Sequence, residues 1–215
     1  MTGKFMILGA SRSGKSTLLK AAKTCFVEGD RNYGCEKKDY TVHSTDMEPK
    51  DKWSSGRYIF KIRGAKISFY IPADSGGDRD YFEKNLTENL PGTQTICWCF
   101  DASQKEIEYG NNNIASLRDY TGGGVGRVIK EMKNLKKDGD DLRVRNFIFL
   151  GTHMDKLKPK PNEEKLKGEL GYDDLRKELK SFDPKIRVAF SCGSFISYDS
   201  SVNFWEDIFN QLEEQ

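Results

Sequence analysis

The chain has 215 residues, of which 36% are hydrophobic and 32% charged. That length suits one domain with insertions rather than two, and residues 1–215 are read as a single domain. The formal net charge of +2 is too near neutral to argue for nucleic acid as a partner, and no apolar run approaches the roughly 20 residues of a membrane-spanning helix.

Met1-Thr2-Gly3-Lys4 leads straight into an apolar run. No signal peptide is expected there, nor N-myristoylation, since position 2 is not glycine. The last residues, Gln211-Leu212-Glu213-Glu214-Gln215, carry no prenylation cysteine. The expectation is a cytoplasmic protein without a lipid anchor. The five cysteines, Cys25, Cys35, Cys97, Cys99 and Cys192, are odd in number and show no disulfide framework. Cys97 and Cys99 lie two apart in an apolar run, which puts both thiols on one side of a strand. They read as buried thiols in a reducing compartment. Cys35 and His43 lack companions for a zinc site.

In chain order, Lys4-Phe5-Met6-Ile7-Leu8 reads as a buried strand, and residues 14–25 as a helix. Between them lies Gly9-Ala10-Ser11-Arg12-Ser13-Gly14-Lys15-Ser16, with the spacing G-x-x-x-x-G-K-[ST] of a phosphate-binding P-loop. A strand, a glycine-bounded loop and a helix N-terminus meet the physical needs of phosphate binding. Unpaired N–H groups point inward, and the helix dipole adds positive potential. The expected phosphate-binding residues are Gly9, Ser11, Arg12, Ser13, Gly14, Lys15, Ser16 and Thr17. Lys15 would reach the β- and γ-phosphates, and the Ser16 hydroxyl would ligate Mg²⁺.

Residues 26–56 are polar and charged without a clean period, the mark of a functional or mobile stretch. Arg57–Arg63 alternates as a half-buried strand, Gly64-Ala65 makes a tight turn, and Lys66–Pro72 completes a hairpin. Residues 79–90 read as a helix ending before Pro91, and Thr95–Phe100 as a central strand. Residues 104–113 form a polar surface insertion, with a glycine run at Gly122-Gly123-Gly124, so the insertion spans about 104–124. A basic helix is expected over 125–137 and a buried strand over Asn146–Leu150. Residues 163–181 are mostly helical, weakened by Gly168 and Gly171. A last strand covers Ile186–Phe190. In a closing helix over 202–213, Phe204, Trp205, Ile208, Phe209 and Leu212 share one face. Strands alternating with helices imply an α/β protein of the P-loop NTPase fold. Its sheet would be mostly parallel, with six strands, one antiparallel edge strand and helices on both faces. Ligands of such sheets sit at the carboxyl ends of the strands.

The residues at those ends are informative. After the third strand comes Ala73-Asp74-Ser75-Gly76-Gly77. An acid there in a P-loop protein holds Mg²⁺, usually through water, and Gly77 could offer its N–H to a γ-phosphate. After the fifth comes Gly151-Thr152-His153-Met154-Asp155-Lys156, and after the sixth Ser191-Cys192-Gly193. With the P-loop, the D-x-x-G element at Asp74–Gly77, the T-x-x-D element at Thr152–Asp155 and the Ser191 element in this order, the chain resembles the Ras-like small GTPase superfamily from residue 4 to about 213. The resemblance implies GTP and GDP as ligands, with Mg²⁺. It implies a base site of Thr152, His153, Asp155, Ser191 and Cys192. Asp155 would accept from guanine N1–H and N2–H₂, and the Cys192 N–H would donate to O6. Adenine would leave the carboxylate unpaired, which is costly.

The resemblance also calls for a switch threonine that closes over Mg²⁺ and the γ-phosphate. Thr41 and Thr45 are candidates, with Thr45 nearer the hairpin; the metal set is then Ser16, Thr45 and Asp74, and the catalytic set Lys15, Thr45, Gly77 and Asp78. The chain departs from the family at four places. His153 and Gly193 stand where the family has lysine, Ser11 and Arg12 replace P-loop glycines, and Asp78 replaces the glutamine that orients the attacking water. A carboxylate beside a triphosphate is repelled and cannot donate, so Asp78 points to slow hydrolysis or to a helix-capping role. Asp-Ser-Gly-Gly is closer to the ADP-ribosylation-factor branch than to Ras proper, and Rag-like and prokaryotic members are also near.

The implied function is a guanine-nucleotide switch with slow hydrolysis that needs a partner. Regulatory or effector proteins would bind through residues about 38–56 and 75–90, to a monomer or a switch-dependent dimer. The alternative is a nucleotide-binding pseudo-GTPase scaffold without useful turnover. A P-loop kinase or ATPase is a third reading, from which a preference for GTP over ATP would separate it. Lysine clusters at Lys130, Lys133, Lys136 and Lys137 and at Lys156, Lys158 and Lys160 are offset by nearby acids and read as solvated surface.

Overall fold

The computed structural model describes residues 3–9, 13–15, 17–18, 56–62, 65–71, 86–103, 124–156, 162–194, 203, 207, 208 and 210. Ser11, Arg12, Ser16, Thr41, Thr45, Asp74, Gly77 and Asp78 lie outside the described residues, as do the stretches 26–55, 72–85 and 104–123.

Six strands form one sheet: β1 Gly3–Gly9, β2 Gly56–Ile62, β3 Ala65–Ile71, β4 Thr93–Asp101, β5 Asn146–Thr152 and β6 Arg187–Cys192. Their spatial order is β2-β3-β1-β4-β5-β6. β1 lies parallel to both β3 and β4, and β4, β5 and β6 continue in parallel. β2 runs antiparallel to β3, from Gly56 opposite Ile71 to Ile62 opposite Ala65. A parallel sheet is covered on both faces, so its strands are near-continuous apolar runs. Every residue of β5, Asn146 to Thr152, is buried.

Alternate side chains serve different faces. Met6, Ile96, Trp98, Phe147 and Phe149 join one large core cluster with the helices α1 (Val125–Lys137) and α3 (Tyr172–Phe182). The alternating set Phe5, Ile7, Cys97, Cys99, Ile148 and Leu150 is buried too, as are Leu18 and Ile208. Helix α1 forms because Val125, Val128, Ile129, Met132 and Leu135 recur at helical spacing and all bury. Lys136 and Lys137 fall in its last turn, where cations complement the helix dipole. Lys133 pairs with Glu178 at 2.7 Å, and Lys136 donates to the Phe182 carbonyl at 3.1 Å, so α1 and α3 are also joined at their exposed edges. Tyr172 meets Phe149 and Phe190 edge-on, which seats the start of α3 on the sheet.

The stretch expected as one helix over 163–181 is two. Helix α2 (Glu163–Leu170) is capped by Asn162, whose side chain accepts from the Glu164 N–H, and it ends at Gly171; α3 begins at the next residue. Gly171 has φ +64°, a left-handed conformation that stops an α-helix and that glycine adopts without steric cost. The break therefore falls at Gly171, while Gly168 stays within α2.

Register gathers the site. Gly9 pairs with Cys99, Asp101 with Thr152 and Gly151 with Cys192. The carboxyl ends of β1, β4, β5 and β6 thus form one rim.

Candidate functional site

The P-loop leaves β1 through Gly9, whose φ is +139°. A Cβ on Gly9 would collide with the Cys99 carbonyl oxygen of the neighbouring strand and lie 2.7 Å from Ser13 Oγ. Gly14 has φ +89°, and a Cβ there would stand 3.0 to 3.2 Å from three atoms of the Thr152 side chain. Backbone conformation favours glycine at both positions, and close approach to the neighbouring strand requires it at Gly9. The helix starts here, since the Leu18 N–H donates to the Gly14 carbonyl at 2.8 Å. Lys15 is only 9% exposed, and its Nζ donates to the Gly9 carbonyl at 2.7 Å, across the loop. Ser13 is 1% exposed, and its Oγ has no hydrogen-bond partner among the described residues. An orphaned hydroxyl beside an inward lysine and a helix N-terminus is a donor set that fits an anion such as phosphate. Thr17, in the first helical turn, is exposed.

Thr152 closes β5 rather than following it. Its Oγ1 lies 2.9 Å from the Ser13 carbonyl, 3.1 Å from the Phe100 carbonyl and 2.9 Å from His153 Nδ1. One hydroxyl thereby joins the P-loop, the end of β4 and the loop after β5. His153 has φ +60°, the one non-glycine left-handed residue among those described, a conformation uncommon for non-glycine residues though one that histidine adopts more readily than most. Its Nδ1 also faces Asp101 Oδ2 at 3.4 Å. Asp101 ends β4 and is 1% exposed. Its Oδ1 accepts from the Ser103 N–H at 2.9 Å and the Ser103 hydroxyl at 2.6 Å.

Asp155 sits in a single 3₁₀ turn, Met154–Lys156, and is exposed. The hydroxyl of Ser194 donates to its Oδ1 at 2.9 Å and, as the leading cause, holds the carboxyl below its ordinary range; the Asp155 N–H and the charge of Lys156 act the same way, against a desolvation that raises it. The loops after β5 and β6 also share backbone bonds, from the Gly193 N–H to the Gly151 carbonyl at 2.9 Å and from the Met154 N–H to the Gly193 carbonyl at 3.4 Å.

Ser191 and Cys192 belong to β6 rather than to the loop beyond it. The buried Ser191 hydroxyl donates to Asp207 Oδ2 at 2.6 Å, in the C-terminal helical segment. The Cys192 side chain packs where a Cβ on Gly151 would collide with its Sγ, and burial pushes its thiol up to about 12. The structure thus brings Gly9, Ser13, Gly14, Lys15, Thr152 and His153 together and sets Asp155 against Ser194.

Two residues of the rim, Asp101 and Ser194, were not singled out in the sequence. An acid directly after a buried strand was a usable signal for Asp101. Ser194 depends on how far β6 runs, which its own sequence does not mark.

No protein-family model matches the chain, and no curated protein sequence does. Among solved structures it is similar to the crystal structure of a bacterial selenocysteine-specific elongation factor, EF-Sec, at 14% identity with a TM-score of 0.52. That likeness covers 100% of this chain, which spans 29% of the length of the other. The likeness is one of fold alone: α/β, with a parallel sheet consistent with the P-loop NTPase kind. Among the described residues no helix is long and apolar enough to cross a membrane.

Proposed function

We propose that the chain binds GTP and GDP with Mg²⁺ and works as a molecular switch that hydrolyses GTP slowly, with a partner protein needed for useful turnover. The observation that carries the reading is the Thr152 hydroxyl 2.9 Å from the Ser13 carbonyl. It joins the loop suited to phosphate to the strand end that carries Asp155. A ligand spanning the two would have polyphosphate at one end and a base with adjacent N–H donors at the other. Lys15, Ser13 and the N–H groups of the first helical turn would hold phosphate. Asp155, whose carboxyl the Ser194 hydroxyl holds below its ordinary range, would accept from guanine. Ser16, Thr45 and Asp74 are the residues that would hold Mg²⁺, which when bound neutralises phosphate charge.

The competing reading, a nucleotide-binding scaffold without useful hydrolysis, draws its support from Asp78 at the water-orienting position. Calorimetric titration of GTP, GDP and ATP with Mg²⁺ tests the binding claim, and single-turnover hydrolysis separates the two outcomes. The expected results are GTP and GDP binding without ATP binding, and slow turnover that Asp78→Gln accelerates. Equal affinity for ATP would sink the guanine assignment. Lys15→Ala at wild-type affinity would sink the P-loop reading itself.

A further inference from the structure

Three groups at the rim share one unusual contact set. His153 Nδ1 is 2.9 Å from Thr152 Oγ1 and 3.4 Å from Asp101 Oδ2, in a residue held at φ +60°. The protons can be placed by elimination. Thr152 Oγ1 also faces two acceptors, the Ser13 and Phe100 carbonyls at 2.9 and 3.1 Å. A hydroxyl has one proton and two lone pairs. If that proton went to His153 Nδ1, both carbonyls would face bare oxygen, and the Asp101 carboxylate would face a nitrogen lone pair. If Nδ1 carries the proton, it donates to Thr152 Oγ1 in the field of Asp101, and the Thr152 proton is left for the carbonyls. That proton serves one carbonyl at a time, and neither Nδ1 contact then sets lone pair against lone pair, so this placement satisfies more of the contacts than the other. Asp101 itself is fixed from behind, by the Ser103 N–H and hydroxyl on its other oxygen.

We propose that Asp101 is a positioning residue that holds His153 in its Nδ1–H form and, through Thr152, couples the loop after β5 to the P-loop. The second half rests on the nucleotide reading above. Where a lysine can only donate, the neutral imidazole with its proton on Nδ1 presents Nε2 as an acceptor. Its ring is orientated before any ligand arrives, which lowers the ordering cost of binding.

The test uses the full chain labelled with ¹⁵N-histidine at pH 8. The protein has two histidines, His43 and His153, so His43→Gln assigns the spectrum. The imidazole nitrogen shifts report the tautomer directly. Asp101→Asn is nearly isosteric. Its carboxamide oxygen can keep both Ser103 bonds, which turns the NH₂ group toward His153 Nδ1 and favours the opposite tautomer. Expected are an Nδ1–H ring in the unmodified protein, a shift toward Nε2–H in Asp101→Asn at unchanged secondary structure, and GDP affinity lowered about tenfold, the scale of one hydrogen bond to a charged group. An Nε2–H ring in the unmodified protein, or an unchanged tautomer in Asp101→Asn, would overturn the clamp. A shifted tautomer with unchanged GDP affinity would overturn the coupling. An unmodified protein with the Nδ1–H ring that binds no GDP would leave the clamp standing and overturn the nucleotide reading instead.

Discussion

The Thr152 hydroxyl reaches the Ser13 carbonyl at 2.9 Å across 139 residues of chain. It is buried, so water cannot replace it. Thr152→Val keeps the shape and deletes the hydroxyl, leaving the Ser13 and Phe100 carbonyls and His153 Nδ1 facing a methyl group. Leaving buried polar groups unpaired costs about 1–3 kcal/mol. Urea denaturation is expected to show a loss of that size for Thr152→Val and a smaller one for Thr152→Ser, which retains the oxygen. Equal losses for both would show that packing, not the hydroxyl, is what matters here.

The two P-loop glycines are expected to tolerate alanine unequally. Both have positive φ, where a side chain costs about 1–3 kcal/mol. At Gly14 the added methyl meets the Thr152 side chain at 3.0 Å and beyond, and a small shift can relieve it. At Gly9 it runs into the Cys99 carbonyl, a strand backbone atom fixed by pairing on both sides. Gly9→Ala is therefore expected to unfold at distinctly lower denaturant than Gly14→Ala. The reverse order would mean that β4 yields at Cys99 more readily than its pairing implies.

Cys192 makes a prediction in pH. Its folded pKa is raised from 9.0 to about 12, chiefly by burial. A raised folded pKa contributes stability that is fully present below the unfolded value and is lost as pH rises toward the folded one. Stability contributed by this thiol should therefore be intact at pH 8 and decline between about pH 9 and pH 12. Cys97, fully buried and also raised by desolvation, acts in the same direction. Denaturant midpoints taken at pH 8 and pH 10 should fall less for Cys192→Ala than for the unmodified protein. A thiol-specific reagent at pH 8 should leave native Cys192 unmodified, since the thiolate is the reactive form; fast labelling would show that the side chain is not packed against Gly151.

What could be seen in the sequence was local. Val125, Val128, Ile129, Met132 and Leu135 set the bounds of α1 because one helical period carries them all. The glycine spacing of Gly9 and Gly14 was visible because both answer to positive-φ backbone conformations only a few residues apart. The rest depended on partners distant in the chain. Gly168 and Gly171 are equivalent as helix weakeners in the sequence; the turn falls at Gly171, next to Tyr172, whose ring packs against Phe149 and Phe190 from distant strands. Thr152, Ser191 and Cys192 read as loop residues because polar character suggests a strand has ended. Pairing along β4, β5 and β6 carries the sheet two residues further. Asp101 meets His153 across 52 positions, and no motif spacing encodes that contact.

Asp155 offers the sharpest test of base recognition. It is exposed in its turn, and the Ser194 hydroxyl donates to its Oδ1 at 2.9 Å; a carboxylate has about four lone-pair sites, so accepting capacity remains for a base. A carboxylate can only accept, and guanine presents two adjacent donors, N1–H and N2–H₂. Asp155→Asn replaces one acceptor by a donor. The matching base must then offer one donor and one acceptor side by side, as xanthine does with N1–H and its C2 carbonyl. The expected outcome is a loss of GDP affinity of about 100-fold or more, with xanthosine diphosphate gained, since a site built for particular hydrogen bonds rejects a base that leaves them unmade. Fold stability should change little, because the residue lies at the surface. Parallel calorimetric titrations of GDP and xanthosine diphosphate into both proteins read the exchange. An Asp155→Asn variant that keeps its GDP affinity would remove Asp155 from the base site.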